Sequence, residues 1–437
     1  MEDTVEKTAG RTKGVEFSEA FRFWVKLGFI NFGGPAGQIA IMHKELVERR
    51  RWISESQFLR SLNFCMLLPG PEAQQLATYI GWRMHGAIGG LIAGVFFVIP
   101  SVFVLLFLSY LAVAYSEVPA ITGLLYGIQP VVVAVVLEAV LRIGKRTLHR
   151  AALIAFAVAS FVAIYFLSVP FPLVVGAAGL AGFLLHFRYP EVFRTRGHGG
   201  DSEEEDSSEE AGSGSRPSIL RNLKLLGVFL ILWAAPVGAL MLWRGEGDVL
   251  VQEALFFTGA AFVTFGVAYS VLSYIADVAV NGYGWLTAHQ MVQGLGLAES
   301  TPGPLIMVTQ YVGFLGAWNF SGSVNPLLNA TLGALITTYV TFLPCFLFIF
   351  LLAPYIERLA NNRRLQAALV GVTAAVVGVI VNLAVFFGSR VLFPNGALDV
   401  FALVVAVVSF VVLQRLKVPI YLLVPAGAVA GMLWTLL

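Results

Sequence analysis

Long apolar runs constrain this chain more than any other feature. They cover Gly86–Leu111, Ile121–Val140, Ala151–Leu167, Leu173–Leu185, Leu225–Trp243, Leu327–Leu352, Leu365–Phe387, Val400–Leu413 and Val418–Leu437. A helix needs about 20 apolar residues to cross a bilayer. The shorter runs reach that span with flanking residues or in a thin membrane. Charged residues are only 12% of the 437, about half the roughly 25% of a soluble domain. Lipid is therefore the main solvent. Barrel strands alternate polar and apolar residues, whereas Val131–Leu137 is apolar throughout. The expected fold class is an all-α polytopic membrane protein.

The chain also repeats itself. Phe32-Gly33 matches Phe265-Gly266, and Trp52-Ile53-Ser54 with Gln57 matches Trp285-Leu286-Thr287 with Gln290. Leu68-Pro69-Gly70-Pro71 matches Thr301-Pro302-Gly303-Pro304, and all three pairs share one offset of 233 residues. Pro100 with Pro344, and Gly127-Ile128 with Gly371-Val372, follow at an offset of 244, so one insertion near Trp318–Pro326 reconciles the set. Such consistency argues for duplication. The expected organisation is a tail over 1–16, a first repeat over 17–187, an acidic linker over 188–220, a connecting helix over 221–243 and a second repeat over 252–437. The linker carries Asp201, Glu203, Glu204, Glu205, Asp206, Glu209 and Glu210 between glycine-rich stretches. It has too little apolar surface to fold.

Basic residues set orientation. Arg49-Arg50-Arg51, Arg83, Arg142–Arg150, Arg188–Arg196, Arg221–Lys224, Arg358–Arg364 and Arg415–Lys417 are expected on the cytoplasmic side. Ala114–Pro119, Asp277–Gly284 and Trp318–Asn325 carry no Lys or Arg and are expected outside. This works only if the odd helix between the halves inverts the second copy, a pattern of secondary transporters. The N-terminus and linker would then be cytoplasmic and the C-terminus periplasmic. The N-terminus shows no apolar signal-peptide core. Cys65 and Cys345 lie in apolar segments and suggest neither a disulfide framework nor a thiolate metal site. No cofactor, metal or nucleic-acid partner is expected, and His43, His85 and His289 are scattered.

Glycine and proline interrupt each half. Asn31-Phe32-Gly33-Gly34-Pro35 and Leu67-Leu68-Pro69-Gly70-Pro71 break the first. Proline removes a backbone donor and pushes the preceding residue away from helical geometry. A helix restarting near Pro71 presents free N–H groups and about half a positive charge, which suits an anion. A kink used only for packing is the alternative, but paired breaks in corresponding places point to a binding site. The candidate substrate-binding residues are Phe32, Gly33, Gly34, Asn63, Pro69, Gly70, Pro71, Gln74 and Gln75, with Thr301, Pro302, Gly303 and Pro304 in the second copy. Glu72 is a candidate coupling carboxylate, the one strong buried acid expected here, or else a structural partner of the helix start. Arg22 and Lys26, one turn apart, attract the anion or only snorkel to the interface. Polar residues concentrate in the first half, so the second is expected to act more as scaffold.

Phe32-Gly33-Gly34-Pro35, Leu68-Pro69-Gly70-Pro71-Glu72-Ala73-Gln74-Gln75 and Tyr79-Ile80-Gly81 resemble the chromate ion transporter family, in its long-chain, two-domain form. The second copy departs from the pattern, reading Phe265-Gly266-Val267-Ala268. The resemblance implies a non-enzymatic inner-membrane protein, bacterial or archaeal, that exports chromate, with sulfate as its look-alike and protons or the membrane potential as the drive. Import of sulfate or another inorganic anion on the same scaffold is the alternative. The oligomeric state is left open, with a homodimer among the options. One charge crossing 100 mV is worth about 2.3 kcal/mol. A dianion leaving a negative-inside cell therefore gains about 4.6 kcal/mol, which favours efflux.

Overall fold

The computed structural model describes residues 14–188, 219–265, 268–356 and 362–437. Most of the expected acidic linker, the tail to residue 13, Gly266, Val267 and Arg358 lie outside the described residues. All the apolar runs fall in helices. The first half comprises α1 (Phe17–Ile30), α2 (Gly34–His43), α3 (Glu55–Cys65), α4 (Glu72–Ala114), α5 (Pro119–Thr147), α6 (Ala151–Tyr165) and α7 (Phe171–Arg188). After α8 (Ile219–Arg244) the series recurs as α9 (Val249–Val263), α10 (Ala268–Ala276), α11 (Ala288–Ser300), α12 (Val308–Asn319) and α13 (Pro326–Leu352). It ends with α14 (Arg363–Leu392), α15 (Val400–Val411) and α16 (Ile420–Leu436). Among the described residues, six helices are long and apolar enough to cross a membrane. The protein is thus a multi-pass membrane protein.

The broken helices re-enter rather than cross. In the first half, Arg50 beyond α2 pairs with Glu19 at the start of α1, 3.2 Å apart. His85, at the far end of the first arm of α4, contacts the Val15 carbonyl at 2.8 Å. The α1–α2 and α3–α4 pairs therefore both return to the face they left. At His85 and Gly86 the backbone turns (φ −137° and +64°) and sends residues 87–114 back through the membrane. In the second half, Asp248 before α9, Tyr283 and Trp285 before α11, and Phe320 after α12 line one cleft. Both of its broken pairs likewise enter and leave on one face. Because α8 crosses in between, that face is the opposite one, and the halves are inverted.

Equivalent local devices recur with the fold. Ser54 and Thr287 each cap a helix by accepting the amide of its third residue, Gln57 and Gln290, whose side chains reach back to accept from the cap N–H. This reciprocal box satisfies two otherwise orphaned donors. A π-helical turn follows both α2 and α10, over Lys44–Arg49 and Asp277–Gly282.

The halves are interlocked at their last helices. α16 of the second half packs on α5 of the first, and α6 and α7 of the first pack on α14 of the second. Small residues make these crossings close. Gly123 and Gly127 face Gly427 and Gly431. At the equivalent seam a Cβ on Gly182 would lie 2.6 Å from the Ala367 carbonyl, and one on Gly371 would lie 2.6 Å from that of Ala178. Ser160 adds a 2.6 Å hydrogen bond to the Ala375 carbonyl. Water exclusion does not drive helices together in lipid, so such backbone approach and hydrogen bonding carry the association.

Candidate functional site

The four breaks meet where the halves cross. The Gly70 N–H donates to the carbonyl of Thr264 at 2.7 Å, and the Gly303 N–H donates to that of Asn31 at 2.9 Å. Asn31 and Thr264 are themselves 233 residues apart, so each Pro-Gly-Pro loop is tied to the broken end of the other half's first helix. Both glycines have positive φ, +125° and +115°, a region that other residues avoid. Each also sits against the residue after a helix proline in the opposite half. A Cβ on Gly70 would lie 2.9 Å from Cys345 Sγ, and one on Gly303 would lie 2.7 Å from Ser101 Cβ. These two loop amides are therefore occupied by the protein's own carbonyls. Neither is free to receive the anion that the sequence reading assigned to it.

The next turn is open in the first half. Pro71 is the cap of the helix that starts at Glu72, and no side chain caps it. Gln75 N–H already bonds the Pro71 carbonyl, which leaves the amides of Glu72, Ala73 and Gln74 free of partners among the described residues. Glu72 is half-buried. Its side chain makes no hydrogen bond or ion pair among the described residues, and Arg146 lies within electrostatic reach. Gln74 and Gln75 are fully buried, with Nε2 groups bonded to Thr78 Oγ1 (3.2 Å) and the Pro69 carbonyl (2.7 Å). Their Oε1 atoms lack partners. Rotating either amide exchanges its N–H2 and oxygen ends. In the second half the same turn, Leu305–Met307, is apolar and buried. Thr301, Pro302, Gly303 and Pro304 are buried too, and the Thr301 hydroxyl bonds back to the Ala298 carbonyl at 3.1 Å.

The remaining candidates are dispersed. Gly33 and Gly34 start α2 with φ of +89° and +64°, and the Phe32 ring touches Tyr421 of α16 at 5.5 Å. Asn63 is exposed on α3, and Arg22 and Lys26 are exposed on α1. Two residues that sequence reasoning did not propose lie at the crossing. Gln38 Nε2 donates to the Gly303 carbonyl at 2.5 Å, and Asn31 Nδ2 to that of Phe97 at 3.5 Å. The signal for Gln38 was a lone amide in the apolar stretch after Pro35. The second half holds two buried carboxylates, Glu253 (0% exposed) and Glu299 (4% exposed), the latter accepting a hydrogen bond from the Tyr269 hydroxyl.

Inverted halves, re-entrant broken helices and a polar crossing between them define an inverted-repeat membrane transporter. The family model for chromate transporters matches residues 18–183 and again 251–432. The chain belongs to the chromate transporter family. It is 29% identical over 428 residues to the chromate transport protein of Pseudomonas aeruginosa, covering 96% of this chain and 92% of that one. It is 26% identical over 407 residues to the chromate transport protein of Cupriavidus metallidurans (93% and 90% covered). It is 25% identical over 417 residues to the probable chromate transport protein of Synechococcus elongatus (94% of each chain). No solved structure matches it.

Proposed function

We propose that this protein exports chromate across the inner membrane by alternating access, driven by the membrane potential or a proton gradient. In this reading the basic residues Arg49–Arg51, Arg142 and Arg146 mark the cytoplasmic face, as the positive-inside rule implies. The anion sits at the start of α4, held by the open first-turn amides and by the Gln74 and Gln75 side chains. Helix N-termini favour negative charge.

One observation carries the mechanism: the two copies are not in the same state. α11 is packed against α5 and α16, with Gly296 lying against Ile128 and Val132. Its counterpart α3 presents Leu59, Asn63 and Met66 as exposed residues. An inverted-repeat transporter opens to the other side by exchanging the conformations of its halves. The opposite state then has α3 docked on α14, with Asn63 against Val372 and Val376, the residues that correspond to Ile128 and Val132. In this reading α3 is unpacked and α11 packed in the present state.

The test is chromate movement in proteoliposomes with a set potential. Loss of internal chromate driven by an inside-negative potential, from protein facing as in the cell, supports export. Accumulation under the same potential would instead support import, the alternative. Sulfate competition in the same vesicles reports how the site treats the look-alike dianion.

A further inference from the structure

We propose that Glu253 is a proton-binding site of the second half, loaded and unloaded through the cleft on the face opposite Arg49–Arg51, Arg142 and Arg146. Glu253 lies one turn inside α9 and is 0% exposed. Neither of its carboxylate oxygens has a partner among the described residues. A buried ionised carboxylate is strongly disfavoured unless paired, so the stable form here is the neutral acid.

The pocket is built for the group. Its walls are Gly316 of α12 and Gly333 of α13. A Cβ at Gly333 would stand 3.0 Å from Oε2, and one at Gly316 would collide with Oε1. The glycines make room for a carboxyl that any larger residue would displace. Trp285 closes the pocket, with its Cβ 3.2 Å from that same point at Gly316, and it also lines the open cleft with Asp248 and Gln252. The cleft that Trp285 lines has a volume of about 310 Å³.

The charges around it do not neutralise it. Arg244 at the end of α8 is engaged by Asp248 at 2.9 Å and by Asn329 of α13 at 3.3 Å. Asp248 is a like charge to Glu253. α12 and α13 carry no Asp, Glu, Lys, Arg or His, and their titratable groups are Tyr311, Tyr339 and Cys345. From α10 and the turn after it come Tyr269, Tyr274, Asp277 and Tyr283, none of them cationic. A proton is thus the cation that this pocket admits without rearrangement. A role for that proton in the cycle rests on the transport reading above.

The experiment is infrared difference spectroscopy of lipid-reconstituted protein across pH, with chromate flux measured on the same samples. Wild type is expected to show a protonated-carboxyl band that shifts in heavy water and fades as pH rises. Glu253→Gln, isosteric with the neutral acid, should lack the band, keep its thermal midpoint and lose the pH dependence of flux. Glu253→Asp should move the band and serves if the first variant folds poorly. Identical carboxyl bands in wild type and Glu253→Gln would overturn the proposal, as would an unchanged pH profile of flux. If wild type moves no chromate at all, the transport reading fails while the band still decides the proton site.

Discussion

The starts of α4 and α12 descend from one sequence and have become opposites. Pro-Gly-Pro opens both, and both glycines are tied across the molecule in the same way, Gly70 to Thr264 and Gly303 to Asn31. After that they diverge. Glu72, Gln74 and Gln75 follow the first loop, whereas Leu305, Met307 and Val308 follow the second. The helix before the first loop has an exposed flank, and the helix before the second is buried against α5. The lesson is that duplication supplied a symmetric frame, and only one copy kept polar side chains after the loop. A free helix terminus binds anions when it is accessible. The same terminus under leucine and methionine is a packing element.

The frame itself is the place to strike hardest. Leucine at Gly70 or at Gly303 must adopt a positive φ, a strain of about 1–3 kcal/mol, and must displace Cys345 or Ser101. Both variants are expected to insert but to lose chromate resistance in cells. If only the Gly70 change did so, the reciprocal lock would be irrelevant to transport. Next is the asymmetry of packing. In a background lacking native cysteines, Gly296→Cys with Ile128→Cys should cross-link in resting protein. Asn63→Cys with Val372→Cys should cross-link only when turnover is allowed, and should then stop flux. Equal cross-linking of both pairs at rest would erase the difference between the copies.

Smaller effects sharpen the comparison. Glu72→Gln should alter the pH dependence of flux more than the half-saturating chromate concentration, and an unchanged pH profile in purified protein would remove its coupling role. Arg146→Gln should weaken apparent affinity roughly two- to fivefold at low salt, less at high salt, because exposed charges are screened. An effect that persists in high salt would mean direct contact. Ser54→Ala and Thr287→Ala should each cost about 1 kcal/mol of stability. A matching fall in thermal midpoint without loss of flux is the expected outcome for both.

Much of this was legible in the sequence, and for a physical reason. Apolar runs, glycine-proline breaks and charge bias act locally, so the inverted repeats and the break positions follow from residues near one another. The capping boxes at Ser54 and Thr287 were visible as matched Ser/Thr-x-x-Gln motifs. What was not legible depends on residues far apart in the chain. Nothing near Gly70 announces that Thr264 takes its amide. Nor does Glu253 declare itself, since a carboxylate four residues into α9 reads as an interfacial acid until Gly316 and Gly333 are seen to enclose it.

The exchanged partnership of α5 with α16 and of α14 with α6 and α7 bears on biosynthesis. When the ribosome has delivered only the first half, α6 and α7 have no α14 to meet, and the Ala157 and Ala178 seams face lipid. Final assembly must wait until α14 and α16 have been made, because α5, α6 and α7 pack on them. Truncation before Ile420 should leave a product that quality-control proteases clear, even though every segment of its first half is present.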